Sequence, residues 1–147
     1  MTKEQIQDFS LAHAEPAWLA DLRQAAFDQI DRLELPTIER VKFHRWNLGD
    51  GSLAENDAPA TVPDFTALDV NPKLVQVGSQ TVLEQLPVDL VEQGVVFTDL
   101  YSALELIPDV IEKHFGTVIK YDEDKMTAYN AAYFNATAVL YIPDNVI

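Results

Sequence analysis

One stretch near the end of the sequence limits what the whole can fold into. Residues 128–143 pass from a helical pattern to a strand pattern without a break. Met126, Tyr129 and Tyr133 recur with the spacing of one helix face. Val139, Leu140, Tyr141 and Ile142 then form a β-branched and aromatic run closed by Pro143, which reads as a strand. Asn135 lies between them, and Asn is one of the few side chains that tolerates the left-handed backbone by which many helices end. So apolar a strand expects neighbours on its faces and edges, yet the sequence stops at Ile147. The pattern predicts that these residues are the front of something longer.

A chain of 147 residues that is 48% hydrophobic can bury one real core or two small ones. Its net charge of −14 opposes nucleic acid and anionic membrane as partners, because both are bound through cationic charge. Such a balance serves solubility, with a basic protein as the remaining partner class. Cysteine is absent, which excludes disulfides, a thiol nucleophile and thiolate-held zinc or iron–sulfur sites within these residues. No leading apolar segment resembles a signal peptide and no run has the length of a membrane span. The expectation is a soluble, cytoplasmic protein.

Taken in order, Thr2 to Gln5 fits a capping box for a first helix reaching Leu11. Glu15 and Pro16 open a second helix, in which Leu19, Leu22, Ala26, Ile30 and Leu33 recur at intervals of three and four until Leu35 and Pro36 end it. Residues 49–72 are rich in Gly, Ser, Asn, Asp and Pro and read as a linker. Lys73–Val77 and Gln80–Gln85 flank Gly78 and Ser79, the signature of a hairpin. Gly94–Phe97 is a further short strand, and Thr98 or Asp99 can cap the helix after it. Pro108 interrupts that helix and starts another, which Gly116 stops.

Candidate chemistry is sparse. Arg40, Lys42, His44 and Arg45 form a basic cluster that reads as an anion or partner site, or as a connector that pins Trp46 and balances nearby acids. No glycine-rich phosphate loop accompanies it, which favours the connector. Asp122, Glu123 and Asp124 suggest a metal site or a carboxylate pair, but the offsets of a calcium loop are missing. Acids at that position are explained by capping of the next helix and by its dipole. A small carboxylate-dependent hydrolase would rest on those three residues alone. His13, His44 and His114 stand in separate segments with no zinc-site spacing, so packing or surface roles are expected. No nucleophile elbow, Walker loop or dinucleotide fingerprint occurs.

Several stretches together resemble one family. Glu15 to Leu19, EPAWL, and Leu35 to Leu48, LPTIERVKFHRWNL, resemble the amino-terminal helical region of SufD proteins. Gly94 to Leu100, GVVFTDL, and Asp122 to Phe134, DEDKMTAYNAAYF, resemble the segment before that family's core, and Val139 to Pro143, VLYIP, the strand that enters it. The likeness runs through the whole chain in order and covers about the first third of a typical member. It implies a non-catalytic subunit that joins SufB and the ATPase SufC in a complex assembling iron–sulfur clusters. It also implies a right-handed parallel β-helix between two helical regions. The family positions tied to cluster assembly, SufB pairing and SufC docking lie beyond this sequence, so none is carried over. Family members often have glycine in the turn before the last strand, where this chain has Asn135, Ala136 and Thr137.

The expectation is an α+β chain: an amino-terminal helical region at 1–48, a loop or linker at 49–72, and a mixed segment at 73–147 leading into the start of a truncated parallel β-helix. Catalytic, cofactor-binding and metal residues are expected to be none. The role is structural, through SufB and SufC homologues, and the exposed strand edges leave room for self-association of the shortened chain. The alternative is a free-standing acidic module that binds a basic protein.

Overall fold

Thr2 begins the first helix as the sequence predicts. In the computed structural model, which describes residues 2–45, 64 and 71–146, its hydroxyl accepts from the Gln5 backbone N–H at 3.3 Å. Its own N–H donates to Gln5 Oε1 at 2.9 Å, which completes the capping box. Helix α1 spans Lys3–Ala12 and α2 spans Ala17–Ile30. A 3₁₀ turn covers Phe43–Arg45. The next elements are β1 (Lys73–Val77), β2 (Gln80–Gln85), α3 (Val88–Glu92), β3 (Val96–Asp99) and α4 (Leu100–Leu106). After them come α5 (Pro108–His114), α6 (Lys125–Tyr133) and β4 (Ala138–Tyr141). The protein is α+β. Trp46 and the expected linker at 49–72 lie outside the described residues, apart from Asp64, Asn71 and Pro72.

The chain divides into two units, each assembled from separated stretches. One comprises Met1–Leu53 and Asp109–Phe134, the other Ala54–Pro108 and Asn135–Ile147.

The first unit is helical. Its core is Ile6, Ala26, Ile30, Ala128 and Ala132, all buried. The face of α6 that turns inward is therefore the alanine pair; of the Met126, Tyr129 and Tyr133 face read from the sequence, the two tyrosine rings are partly buried and flank the core. Small side chains at a helix contact let the two backbones approach, and larger residues then close the sides. Helix α2 stops at Ile30, short of the expected end at Leu35 and Pro36, yet Leu33 still packs against the core. At the other end of α6, Asn135 does not take the left-handed conformation. The helix leaves through Phe134 in an extended geometry, with φ −59° and ψ 137°. Gly116 does take positive φ, at 68°, and ends α5 as expected.

Ser10 is buried in α1, and its Oγ has no hydrogen-bond partner among the described residues. An unsatisfied hydroxyl of this kind costs free energy, so Ser10→Ala is expected to raise stability by about 1 kcal/mol in a denaturant melt.

Among its described residues the second unit contains two antiparallel pairs. β1 and β2 form the predicted hairpin, with a bulge between Val75 and Gln76, and Gly78 takes φ 62° in the turn. Gly94 is not in a strand: it has φ 82° and ends α3, so β3 starts at Val96 instead. β4 pairs with β3 in the register Val96 with Tyr141, Phe97 with Leu140, Thr98 with Val139 and Asp99 with Ala138. This pairing is antiparallel. The expected opening of a parallel β-helix is therefore absent among the described residues, because the terminal strand folds back on β3. Val95, Thr98, Leu100 and Ala103 are buried here. The Thr98 hydroxyl donates to Glu84 Oε1 at 2.6 Å, and Gln76 Nε2 donates to the Thr137 carbonyl at 3.2 Å. Asp99 caps α4 by accepting from the Ser102 N–H at 2.9 Å. No helix among the described residues is long and apolar enough to cross a membrane.

Candidate functional site

The most organised polar cluster centres on Arg23, which interrupts the apolar stripe of α2 between Leu19 and Ala26. Its guanidinium and the Glu15 carboxylate are both fully buried. Nε donates to Glu15 Oε2 at 2.8 Å and to Oε1 at 3.0 Å, and Nη2 donates to Oε1 at 2.7 Å. Nη1 donates to the carbonyls of Phe134 at 2.8 Å and Ala132 at 3.3 Å, groups that a helix end leaves without partners. The Phe134 ring lies 3.7 Å from the guanidinium carbon and the Phe9 ring 5.0 Å. His13 stacks on Phe9 at 4.1 Å, and Phe115 packs between Phe134 and Trp18. Every nitrogen of Arg23 is committed within the protein. This cluster joins α1, α2 and the end of α6; its chemistry is that of a structural tie.

The other candidates remain apart. Asp124 caps α6, its Oδ1 accepting from Met126 N–H at 2.7 Å and Thr127 N–H at 2.9 Å. Thr127 reciprocates by accepting from the Asp124 N–H at 3.0 Å. Glu123 accepts from the Lys120 N–H at 2.9 Å, and Asp122 is exposed. Among the described residues no group of His, Cys, Asp and Glu could hold a metal ion. Asp124→Ala should cost about 1 kcal/mol in thermal or denaturant unfolding, as loss of an N-cap does. His114 is exposed in the last turn of α5, and the side chain of His44 lies outside the described residues. Burial raises the pKa of Tyr133 above its ordinary value, with smaller contributions from Tyr129 and Asp31.

Two surfaces stand open. Arg40, Lys42 and Arg45 are all exposed, and the ion pair found for them is Arg40 Nε with Glu39 at 3.6 Å. On β4, Leu140 is 56% exposed and Ile142, just beyond it, 53%. The strand's second edge has no hydrogen-bonded neighbour among the described residues. Sequence reasoning anticipated both surfaces but missed the Arg23 cluster. The signal was available: a charged residue inside an apolar helical stripe demands a partner, and Glu15 precedes it by two helical turns.

Residues 62–147 match the family described as SufBD protein N-terminal region. The chain is 33% identical to the iron–sulfur cluster assembly protein SufD of Bacillus subtilis, covering 98% of this chain and 36% of that protein. It is 22% identical to SufB of the same organism, covering 99% and 35%. A chloroplastic iron–sulfur cluster assembly SufBD family protein of Arabidopsis thaliana is 27% identical, covering 99% and 30%. The chain thus spans about a third of the length of these relatives.

Proposed function

We propose, since this chain belongs to the SufB/SufD family, that it is the amino-terminal portion of a SufD-like subunit of an iron–sulfur cluster assembly complex. One observation carries the reading: likeness to SufD and SufB relatives runs through nearly the whole chain and covers about a third of each, and residues 62–147 match the family's N-terminal region. In this proposal the residues serve structure and subunit contact and perform no catalysis. They hold no cofactor of their own; a sequence without cysteine cannot offer thiolates to a cluster. The partners are SufB and SufC homologues in the cytoplasm, and the parallel β-helix of the family belongs to residues other than these. Co-purification tests it. A tagged full-length protein carrying these residues, expressed from its own locus, should bring down the SufB and SufC homologues; their absence from the eluate would overturn the assignment.

The open side of β4 also suggests that the chain of 147 residues, taken alone, pairs with a second copy or exchanges elements with it. Light scattering over a concentration series should then show dimers that Leu140→Lys returns to monomer. A strict monomer at all concentrations would count against this pairing.

A further inference from the structure

The chain carries 24 acidic and 10 basic residues, so the placement of its cations is informative. Lys3 is held by Asp28 at 2.6 Å, Arg23 is consumed in the core, and Lys73 is buried. Three of the remaining cations fall within six residues, at Arg40, Lys42 and Arg45. The segment that bears them makes two successive turns, with Val41 N–H donating to the Ile38 carbonyl at 3.1 Å and Arg45 N–H to the Lys42 carbonyl at 3.0 Å. Arg40 sits inside the first of those turns at φ 70°. Every residue from Thr37 to Arg40 is exposed, as are Lys42 and Arg45, and Ile38 is 52% exposed. A connector that balanced neighbouring acids would hold its cations against carboxylates. Among the described residues, only Glu39 approaches them, in a pair exposed on both sides.

We propose that residues 37–45 form a docking arm for a short acidic peptide segment of a partner protein. Arg40, Lys42 and Arg45 take its carboxylates, and Ile38 takes an apolar side chain beside them. The net charge selects this partner over longer polyanions. Fields are screened beyond about 8–10 Å at ordinary salt, so a short segment responds to the arm alone. A nucleic acid or an anionic bilayer extends past that distance and meets the acidic remainder of the chain. The inference goes beyond the family reading, because likeness of sequence over these residues assigns no role to their exposed cations.

The test uses the whole chain and a labelled peptide of alternating glutamate and leucine, with fluorescence anisotropy at low and physiological salt. Arg40→Glu, Lys42→Glu and Arg45→Glu combined should weaken the peptide by about tenfold or more. Arg32→Glu, Lys113→Glu and Lys120→Glu combined, on exposed residues and with an equal change in net charge, should leave most of the affinity in place. Binding should also fall as salt rises. Both variants alter exposed side chains, and circular dichroism verifies their fold. Equal weakening by the two sets, no peptide binding, or preference for an oligothymidylate or phosphatidylserine vesicles would each overturn the proposal. Failure here would leave co-purification with SufB and SufC homologues unaffected, so the two assignments are separable.

Discussion

Arg23→Met is expected to destabilise the protein by about 3–5 kcal/mol, the cost of leaving a buried charge without its partner. The substitution keeps the apolar stem of the side chain but not the guanidinium, so the loss includes its packing on the Phe134 ring as well as its charge. It leaves the Glu15 carboxylate with no countercharge at a position that is fully buried. It also removes the donor to the Ala132 and Phe134 carbonyls, which end α6. Glu15→Gln should cost less, because an amide can still accept from the guanidinium without its own charge. The double variant Arg23→Met with Glu15→Leu should recover much of the loss, since replacing both members of a buried pair with apolar groups is often near neutral. Denaturant melts of the two single variants and the double variant give the coupling directly. Additive losses would mean that the pair does not act as a unit.

Ile6→Ala carries the second largest expected effect, about 2–5 kcal/mol. Ile6 is fully buried and packs into a core whose other members include Ala26, Ala128 and Ala132. Those alanines have no flexible side chain with which to fill a void, so the cavity stays open and the cost falls high in the range. Measured by chemical denaturation, a loss below about 1 kcal/mol would mean that α1 rearranges to close the gap, contrary to the fixed alanine contact inferred here.

The sequence and the structure agree at several places where a local signal decides the outcome. Thr2 with Gln5, the turn at Gly78 and the caps at Asp99 and Asp124 each depend on residues within a few positions, and all form as read. The disagreements arise where distant contacts decide. A helical pattern containing Tyr129 and Tyr133 suggests that the large residues face inward, but the close approach of α2 selects Ala128 and Ala132. The strand at Val139 was legible, whereas its direction was not, because pairing with β3 depends on how the backbone returns across many residues. Asn135 had the propensity for a left-handed exit, but Arg23 bonds the carbonyl of Phe134 just before it, and α6 ends in an extended geometry there. Of the candidate site residues, Arg40, Lys42 and Arg45 were visible as a cluster. Their exposure required the structure.

The bond from Arg23 to the Phe134 carbonyl spans 111 positions of sequence. During synthesis, the amino-terminal helices therefore leave the ribosome long before the residues that complete their core. Until then Arg23 has Glu15 as a nearby partner but lacks the carbonyls of Ala132 and Phe134, and the apolar stripe around it stays uncovered, so the α1–α2 pair is completed only when α6 arrives. Such a nascent chain depends on its acidic character, and on whatever chaperones attend it, to wait in solution without aggregating.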